Sequence, residues 1–175
     1  MRLFIGLALP AEIKQQVLAT QHRCSGARWQ NANQLHLTLN FIGQVAEDQA
    51  PALCNLVSDF SFTPFSLQLA GAGRFGSHAL WLGVVPEEPV IQLYLALRHR
   101  LEAQGWPTER RRFRPHITVA RLGRDSDCSH YLEVQREFRS VLFGVHQVAL
   151  FASTQGPQGS QYEVIARSEE PMPPF

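Results

Sequence analysis

The sequence predicts an α+β fold built on antiparallel strands, and three observations support this prediction. Strand-like segments follow one another without a helix between them at several points, amphipathic helical segments separate others, and no linker rich in Gly, Ser or Pro divides the 175 residues. Successive parallel strands need a long crossover, whereas antiparallel strands do not. We therefore expect a single domain over residues 1–175, with helices and strands sharing one core.

The N-terminal segment is expected to form a buried strand over 3–9 and a helix over 11–24. The strand is predicted because the run is continuously apolar. Pro10 suits the first turn of the helix that follows. Ile13 and Val17 recur at helical spacing, which favours one buried helical face.

The next elements are a polar link containing Trp29, a strand over 34–42 that ends at Gly43, and a helix over 47–60 with one apolar face. The later elements are predicted from alternation, apolar spacing and Gly or Pro breaks. In chain order they are strands over 65–70 and 79–85, a helix over 90–104, a basic loop over 110–114, a strand over 116–121, a polar loop over 123–130, strands over 145–153 and 161–167, and an irregular tail over 171–175.

The composition limits the class of protein. Hydrophobic residues make up 45% of the chain, charged residues 18%, and the net charge is +1, which argues against a protein that coats nucleic acid by bulk charge. The cysteines are Cys24, Cys54 and Cys128, and their odd number and wide spacing predict neither a disulfide framework nor a zinc site. With no signal peptide or membrane-spanning segment recognisable, we expect a cytoplasmic protein, with a monomer as the default.

Two segments carry the same short motif, a His, an apolar residue and a Thr inside a strand-like run. The first is His36-Leu37-Thr38 and the second is His116-Ile117-Thr118. Because side chains alternate along a strand, the His and Thr of each motif share one face. Two imidazoles on rigid strands, each with a hydroxyl beside it, suit paired acid and base chemistry on a phosphate.

With these motifs, the chain resembles the 2H phosphoesterases, and most closely their bacterial RNA 2′,3′-cyclic phosphodiesterase branch, also called 2′-5′ RNA ligase. The likeness is carried by four stretches in the family order: RLFIGLALP at 2–10, LHLTLNFIG at 35–43, ALWLG at 79–83 and RPHITVAR at 114–121. The resemblance implies a bilobal α+β fold, with two antiparallel sheets related by pseudo-twofold symmetry around a central cleft and helices on the outside.

The resemblance also implies a function. It implies hydrolysis of RNA ends that carry a 2′,3′-cyclic phosphate, such as tRNA-like fragments, leaving a 2′-phosphate, with 2′-5′ joining as the reverse reaction. It implies that no metal and no cofactor is needed. The family's catalytic positions fall on His36 as general acid and His116 as general base, with Thr38 and Thr118 binding the phosphate; the residues alone do not fix which His is the acid.

Arg121 is a further candidate for phosphate binding, since the family often has an Arg at this point. Strict alternation puts it on the face opposite His116 unless the strand contains a bulge. The run 110–112 is expected to be a solvated loop or to steer RNA towards the cleft. The loop aromatic residues Trp29, Phe75 and Phe113 are candidates for base stacking, and the strand aromatic residues Phe4, Phe41 and Trp81 are expected in the core.

Three alternatives remain open at this point. A related phosphodiesterase for a small cyclic nucleotide or an ADP-ribose cyclic phosphate would carry identical motifs. A non-catalytic module that binds RNA ends is disfavoured because both His-Thr pairs are intact. A metal hydrolase using His36 and His116 would need a third ligand, and neither motif supplies one.

Overall fold

The computed structural model describes residues 1–171, so the end of the predicted tail, 172–175, lies outside the described residues. The strands are β1 (Arg2–Ala8), β2 (Ser25–Trp29), β3 (His36–Gln44), β4 (Phe65–Phe75), β5 (Ala79–Val85), β6 (Ile117–Asp127), β7 (Phe143–Val145), β8 (Ala149–Gly156) and β9 (Gly159–Arg167). The helices are α1 (Ala11–Leu18), α2 (Ala50–Ser58), α3 (Glu88–Ala103) and α4 (Ser129–Gln135), with a short 3₁₀ turn at Ala32–Gln34. Over this described range, no helix is both long and apolar enough to cross a bilayer.

All named strand pairs are antiparallel, which confirms the predicted α+β class. The strand order is β7-β4-β5-β6-β3-β1-β8-β9, with β2 added beside β6. β3 and β6 touch through one residue pair only, Leu37 opposite Ile117. The hydrogen-bonded path therefore consists of two four-stranded halves that meet at this narrow contact. Each half contributes one inner strand with a motif His at its start, since His36 is the first residue of β3 and His116 immediately precedes β6.

The two halves repeat one arrangement on either side of that contact. β1, α1 and β3 follow one another as strand, helix and returning strand, and so do β5, α3 and β6, although β2 is inserted before β3. In each half the inner strand, β3 or β6, contains the Thr of the motif and lies against the strand that precedes the helix of that half. This symmetry brings the inner strands together at the centre of the molecule.

The core lies behind the central contact. Leu37 and Ile117 are 1% and 0% exposed, and the helix α3 buries Val90, Leu93 and Leu97 against the same cluster. Burying an aliphatic side chain of this size stabilises the fold by about 1.5–3 kcal/mol. The apolar middle residue of each His-x-Thr motif thus holds its strand, while the His and Thr point to the opposite face.

The structure differs from the predicted elements at several points. The segment predicted as a link before the first His strand contains β2, and β6 continues to Asp127, six residues beyond the predicted end at 121. α4 (Ser129–Gln135) and β7 (Phe143–Val145) were not expected, whereas α1 stops at Leu18 instead of residue 24. β2 and the end of β6 pair with each other, so tertiary pairing compensates for their weak strand propensity.

The expectation about the cysteines needs a correction. Cys24 and Cys128 form a disulfide, with their Cα atoms 4.5 Å apart, and Cys54 is free. These two residues immediately precede β2 and follow β6, whose end residues Ser25 and Asp127 are paired. Sequence spacing could not reveal the pair, because the two cysteines are 104 positions apart and only the unexpected pairing of β2 with β6 brings them together.

Candidate active site

The His and Thr side chains of the two motifs meet on one face of the sheet. Because Leu37 lies opposite Ile117 in an antiparallel pair, the same register brings His36 opposite Thr118 and Thr38 opposite His116. All four polar side chains line one cavity, and we call this set the square, because the register sets the two histidines at opposite corners with a hydroxyl next to each.

The protonation pattern of both rings is set by the backbone. Nδ1 of His36 lies 2.8 Å from the carbonyl oxygen of Gln34, and Nδ1 of His116 lies 2.6 Å from that of Arg114. A carbonyl only accepts, so Nδ1 carries the hydrogen in both neutral rings and Nε2 is the free base. Nε2 of His36 lies 2.9 Å from Oγ1 of Thr38, which donates to it when the ring is neutral.

Aromatic rings pack against each imidazole and partly bury it. The His36 ring centre is 4.9 Å from that of Phe4 and 4.8 Å from that of Tyr162. The His116 ring lies edge-on to Phe75, with centres 4.9 Å apart. Burial lowers the pKa of His36 from 6.5 to about 4 and also lowers the pKa of His116, and the positive charge of Arg121 acts in the same direction.

The low pKa of His36 predicts a loss of stability in acid. The unfolded chain binds a proton at this ring below pH 6.5, while the folded chain resists protonation down to about pH 4. The contribution of His36 to the free energy of unfolding is therefore complete above pH 6.5 and falls by up to about 3 kcal/mol as the pH drops to about 4. We expect the free energy of unfolding, measured with urea, to fall less between pH 7.5 and pH 4.5 in His36→Gln than in wild type. The control, His99→Gln on the exposed side of α3, should show the same fall as wild type. Equal pH dependence in all three proteins would contradict the lowered pKa.

Arg121 faces the site because β6 contains a bulge. Its register with β5 pairs Leu80 with Ala120 but Trp81 with Thr118, so Val119 is an extra residue. Val119 and Ala120 are consecutive and both 0% exposed, and this shift returns Arg121 to the face of Thr118. Strict alternation, which put Arg121 on the opposite face, does not hold here.

The first motif contains the same irregularity at the same place. β1 pairs Gly6 with Thr38 and Ile5 with Asn40, so Leu39 is skipped just as Val119 is. Phe41 thereby takes the position that Arg121 has in the second motif, and its ring lies 5.0 Å from the guanidinium carbon of Arg2. Phe41 was expected in the core, but it is half-buried and borders the site.

The square opens into a cavity of about 570 Å³. It contains all five predicted site residues on its lining, His36, Thr38, His116, Thr118 and Arg121. It also contains residues that sequence reasoning did not single out, among them Arg2, Arg28, His78 and Tyr162. No pattern around these four residues marks them, since each reaches the cavity through pairing with a distant strand or through a turn.

A second cavity of about 620 Å³ adjoins the first and shares Thr38, Phe41 and His116 with it. Its walls include Phe75 and Phe113, two of the predicted stacking candidates, and Phe113 stacks on Tyr94 with ring centres 4.2 Å apart. The third candidate, Trp29, lines the first cavity, where its ring packs on Tyr131.

The basic run 110–112 divides between the surface and the second cavity. Arg110 lies on the surface, with a guanidinium nitrogen 3.7 Å from a carboxylate oxygen of Glu102. Arg111 and Arg112 line the second cavity. Positive charge from this loop is therefore present at one side of the site.

Comparisons with known proteins agree with the fold and with the family resemblance. The family model of the 2′-5′ RNA ligase superfamily matches residues 9–157. A Thermotoga maritima protein named RNA 2′,3′-cyclic phosphodiesterase is 32% identical over 177 residues, covering 94% of this chain and 93% of that protein. An Escherichia coli protein of the same name is 32% identical over 171 residues, covering 95% and 94%. The crystal structure of E. coli LigT complexed with 3′-AMP matches with a TM-score of 0.78 at 30% identity, covering 95% of each chain. The resemblance drawn from the two His-x-Thr motifs is thus confirmed, and the chain belongs to the 2′-5′ RNA ligase superfamily.

Proposed function

We propose that this protein is an RNA 2′,3′-cyclic phosphodiesterase that opens the cyclic phosphate at an RNA end and leaves a 2′-phosphate. The observation that carries this proposal is the pairing of Leu37 with Ile117, since it brings two imidazoles and two hydroxyls together on one face. The shared name of the T. maritima and E. coli relatives supports the same reaction.

The reaction needs a proton acceptor on one side of the phosphorus and a proton donor on the other. Nε2 of His116 removes a proton from water as the water oxygen forms a bond to phosphorus. The bond between phosphorus and O3′ breaks, and Nε2–H of His36 delivers a proton to the departing O3′. The products are a 2′-phosphate and a free 3′-hydroxyl, and both imidazoles exchange protons with solvent before the next turnover.

The donor role requires His36 to be protonated although burial holds its pKa near 4 in the free protein. A bound phosphate anion favours the charged imidazolium and raises this pKa, because opposite charges within a few ångströms stabilise each other. The hydroxyls of Thr38 and Thr118 and the guanidinium of Arg121 stabilise the negative charge on the non-bridging oxygens. The neutral free site thus becomes an acid and base pair only when substrate is present.

We further propose that the reaction needs no metal and no cofactor, and that reversal joins RNA ends through a 2′-5′ bond with the two imidazoles exchanging roles. Within residues 1–171, no group of three His, Cys, Asp or Glu side chains has the spacing to hold a metal ion. The proton transfers described above are complete without one.

The partner is an RNA end, and an ADP-ribose cyclic phosphate or a small cyclic nucleotide is the second candidate. Positive charge around the site favours an RNA end, since Arg2 and Arg28 line the first cavity and Arg111 and Arg112 line the second. A small cyclic nucleotide with a single phosphate would leave most of these arginines without a partner.

The test is incubation with a short oligonucleotide ending in a 2′,3′-cyclic phosphate, followed by chromatography against 2′- and 3′-phosphate standards. We expect the 2′-phosphate alone, at the same rate in excess EDTA. A 3′-phosphate product would contradict the proposed bond cleavage, and loss of activity in EDTA would contradict the metal-free mechanism. An ADP-ribose cyclic phosphate and a small cyclic nucleotide are tested in parallel at equal concentration. Faster hydrolysis of either one than of the oligonucleotide would favour the second candidate substrate over an RNA end.

A further inference from the structure

Two arginines lie side by side at the edge of the first cavity. Arg28 of β2 is directly opposite Arg121 of β6, between the pairs Ala27 with Leu122 and Trp29 with Ala120. Opposed residues on antiparallel strands project from the same face, with Cβ atoms about 4.5–5.5 Å apart. Both side chains are exposed and line the cavity of about 570 Å³.

This pair is unfavourable unless something negative binds it. Like charges directly opposite each other destabilise a strand pair. In the described residues, the arginines within 4.0 Å of a carboxylate are Arg98, Arg110 and Arg136, and the lining of this cavity contains no Asp or Glu. Residues 1–171 therefore supply no counter-charge to the two guanidinium groups.

The strand that carries Arg28 is fixed in place. The backbone N–H of Gln30 donates to the carbonyl of Val119 at 2.9 Å, and the side chain of Gln21 donates to the carbonyl of Gln30 at 2.8 Å. The ring of Trp29 packs on Tyr131, with centres 5.4 Å apart. Arg28 is thus presented from a rigid element, as a binding residue must be if its position is to select a ligand.

We propose that Arg28, together with Arg121, binds a second phosphate, the one on the 5′ side of the nucleotide whose cyclic phosphate reacts. This inference rests on the proposed function, because it takes the His and Thr square as the place of the reacting phosphate. A cyclic phosphodiester carries one negative charge, which an imidazolium and Arg121 already balance while the two hydroxyls donate hydrogen bonds to its oxygens. Arg28 lies one strand further from the square, where a guanidinium fork can contact the next phosphate along the ligand.

A 5′ phosphate can belong to three ligands with this shared chemistry. It can be the phosphodiester of an RNA chain, a terminal phosphomonoester, or a pyrophosphate such as that of an ADP-ribose cyclic phosphate. Matched substrates separate these sources: adenosine 2′,3′-cyclic phosphate alone, its 5′-phosphorylated form, a dinucleotide with the same end, and ADP-ribose 1″,2″-cyclic phosphate.

The first measurement is the ratio of kcat/KM for each substrate with a 5′ phosphate to that for adenosine 2′,3′-cyclic phosphate. We expect Arg28→Gln to lower the ratio about tenfold for the preferred source, as loss of one charge-assisted hydrogen bond would. Arg124→Gln, an exposed residue on the same strand as Arg121, should leave the ratio within about twofold of wild type. An unchanged ratio in Arg28→Gln, or an equal fall in Arg124→Gln, would overturn the proposal.

The second measurement does not depend on hydrolysis. Calorimetric titration with adenosine 3′-phosphate and adenosine 3′,5′-bisphosphate gives the gain in affinity from the second phosphate. We expect a gain of about tenfold in wild type that disappears in Arg28→Gln. If the affinity gain is seen in wild type and lost in Arg28→Gln, but wild type hydrolyses none of the four substrates, the proposed reaction is wrong and the second phosphate site stands. If wild type shows no gain, the second site is wrong whatever the hydrolysis assay gives.

Discussion

Replacing His116 by alanine is expected to lower kcat for opening of a 2′,3′-cyclic phosphate by about 10²–10⁴-fold, and replacing His36 should cost a similar factor. Each substitution removes one of the two proton transfers, and the threonines of the square cannot replace it because a hydroxyl group does not titrate near neutral pH. Because the two rings act in one step, the double variant should be little slower than either single variant. Initial rates on a cyclic-phosphate oligonucleotide at saturating concentration measure the effect.

His99→Ala is the matched control, since this residue is exposed on α3 and lines neither of the two cavities at the square. Thermal unfolding of each variant separates lost chemistry from lost structure, which matters because His36 packs on Phe4 and Tyr162. A loss below about tenfold for either His variant would mean that the ring is not a proton donor or acceptor in the reaction.

Replacing Thr118 by valine should lower kcat about 10–100-fold, and Thr38→Val should do the same. Valine preserves the branched shape but removes the hydroxyl that donates to a non-bridging oxygen as negative charge develops. The site is open to solvent, so the expected loss is at or below the lower end of the range seen when an oxyanion donor is deleted. Thr118→Ser keeps the hydroxyl and should retain most of the rate.

The control for these variants is Thr154→Val, on an exposed position of β8 that does not line the cavity. Parallel measurement of KM shows whether the hydroxyls act in the ground state as well. A rise in KM with unchanged kcat would contradict the role given to the two threonines, because it would mean that they bind substrate and transition state equally.

The sequence was sufficient for those parts of the fold that rest on local alternation. The runs around Leu37 and Ile117 combine buried apolar residues with polar residues at period two, and both became strands with the predicted faces. The helix α3 followed from the spacing of Val90, Leu93 and Leu97, all of which are buried. In each of these elements the local pattern and the tertiary burial agree.

Features that depend on pairing between distant strands could not be predicted in the same way. The sequence around Val119 and Ala120 fits a regular strand as well as a bulge, yet the bulge decides which face Arg121 occupies. β2 contains Gly26 and Arg28 and has little strand propensity of its own, so it forms only because β6 is beside it. The Cys24–Cys128 disulfide depends on the same pairing.

The central claim is that two imidazoles act on one phosphorus atom, His36 as donor to the departing oxygen and His116 as acceptor from water. A substrate with sulfur in place of the bridging 3′-oxygen tests it most directly, because a thiolate leaves without needing a proton. With this substrate, the rate deficit of His36→Ala should shrink to below about tenfold, whereas His116→Ala should keep its loss of about 10²–10⁴-fold. The claim would be contradicted if the sulfur substrate left the loss of rate unchanged in both variants, or reduced it equally in both.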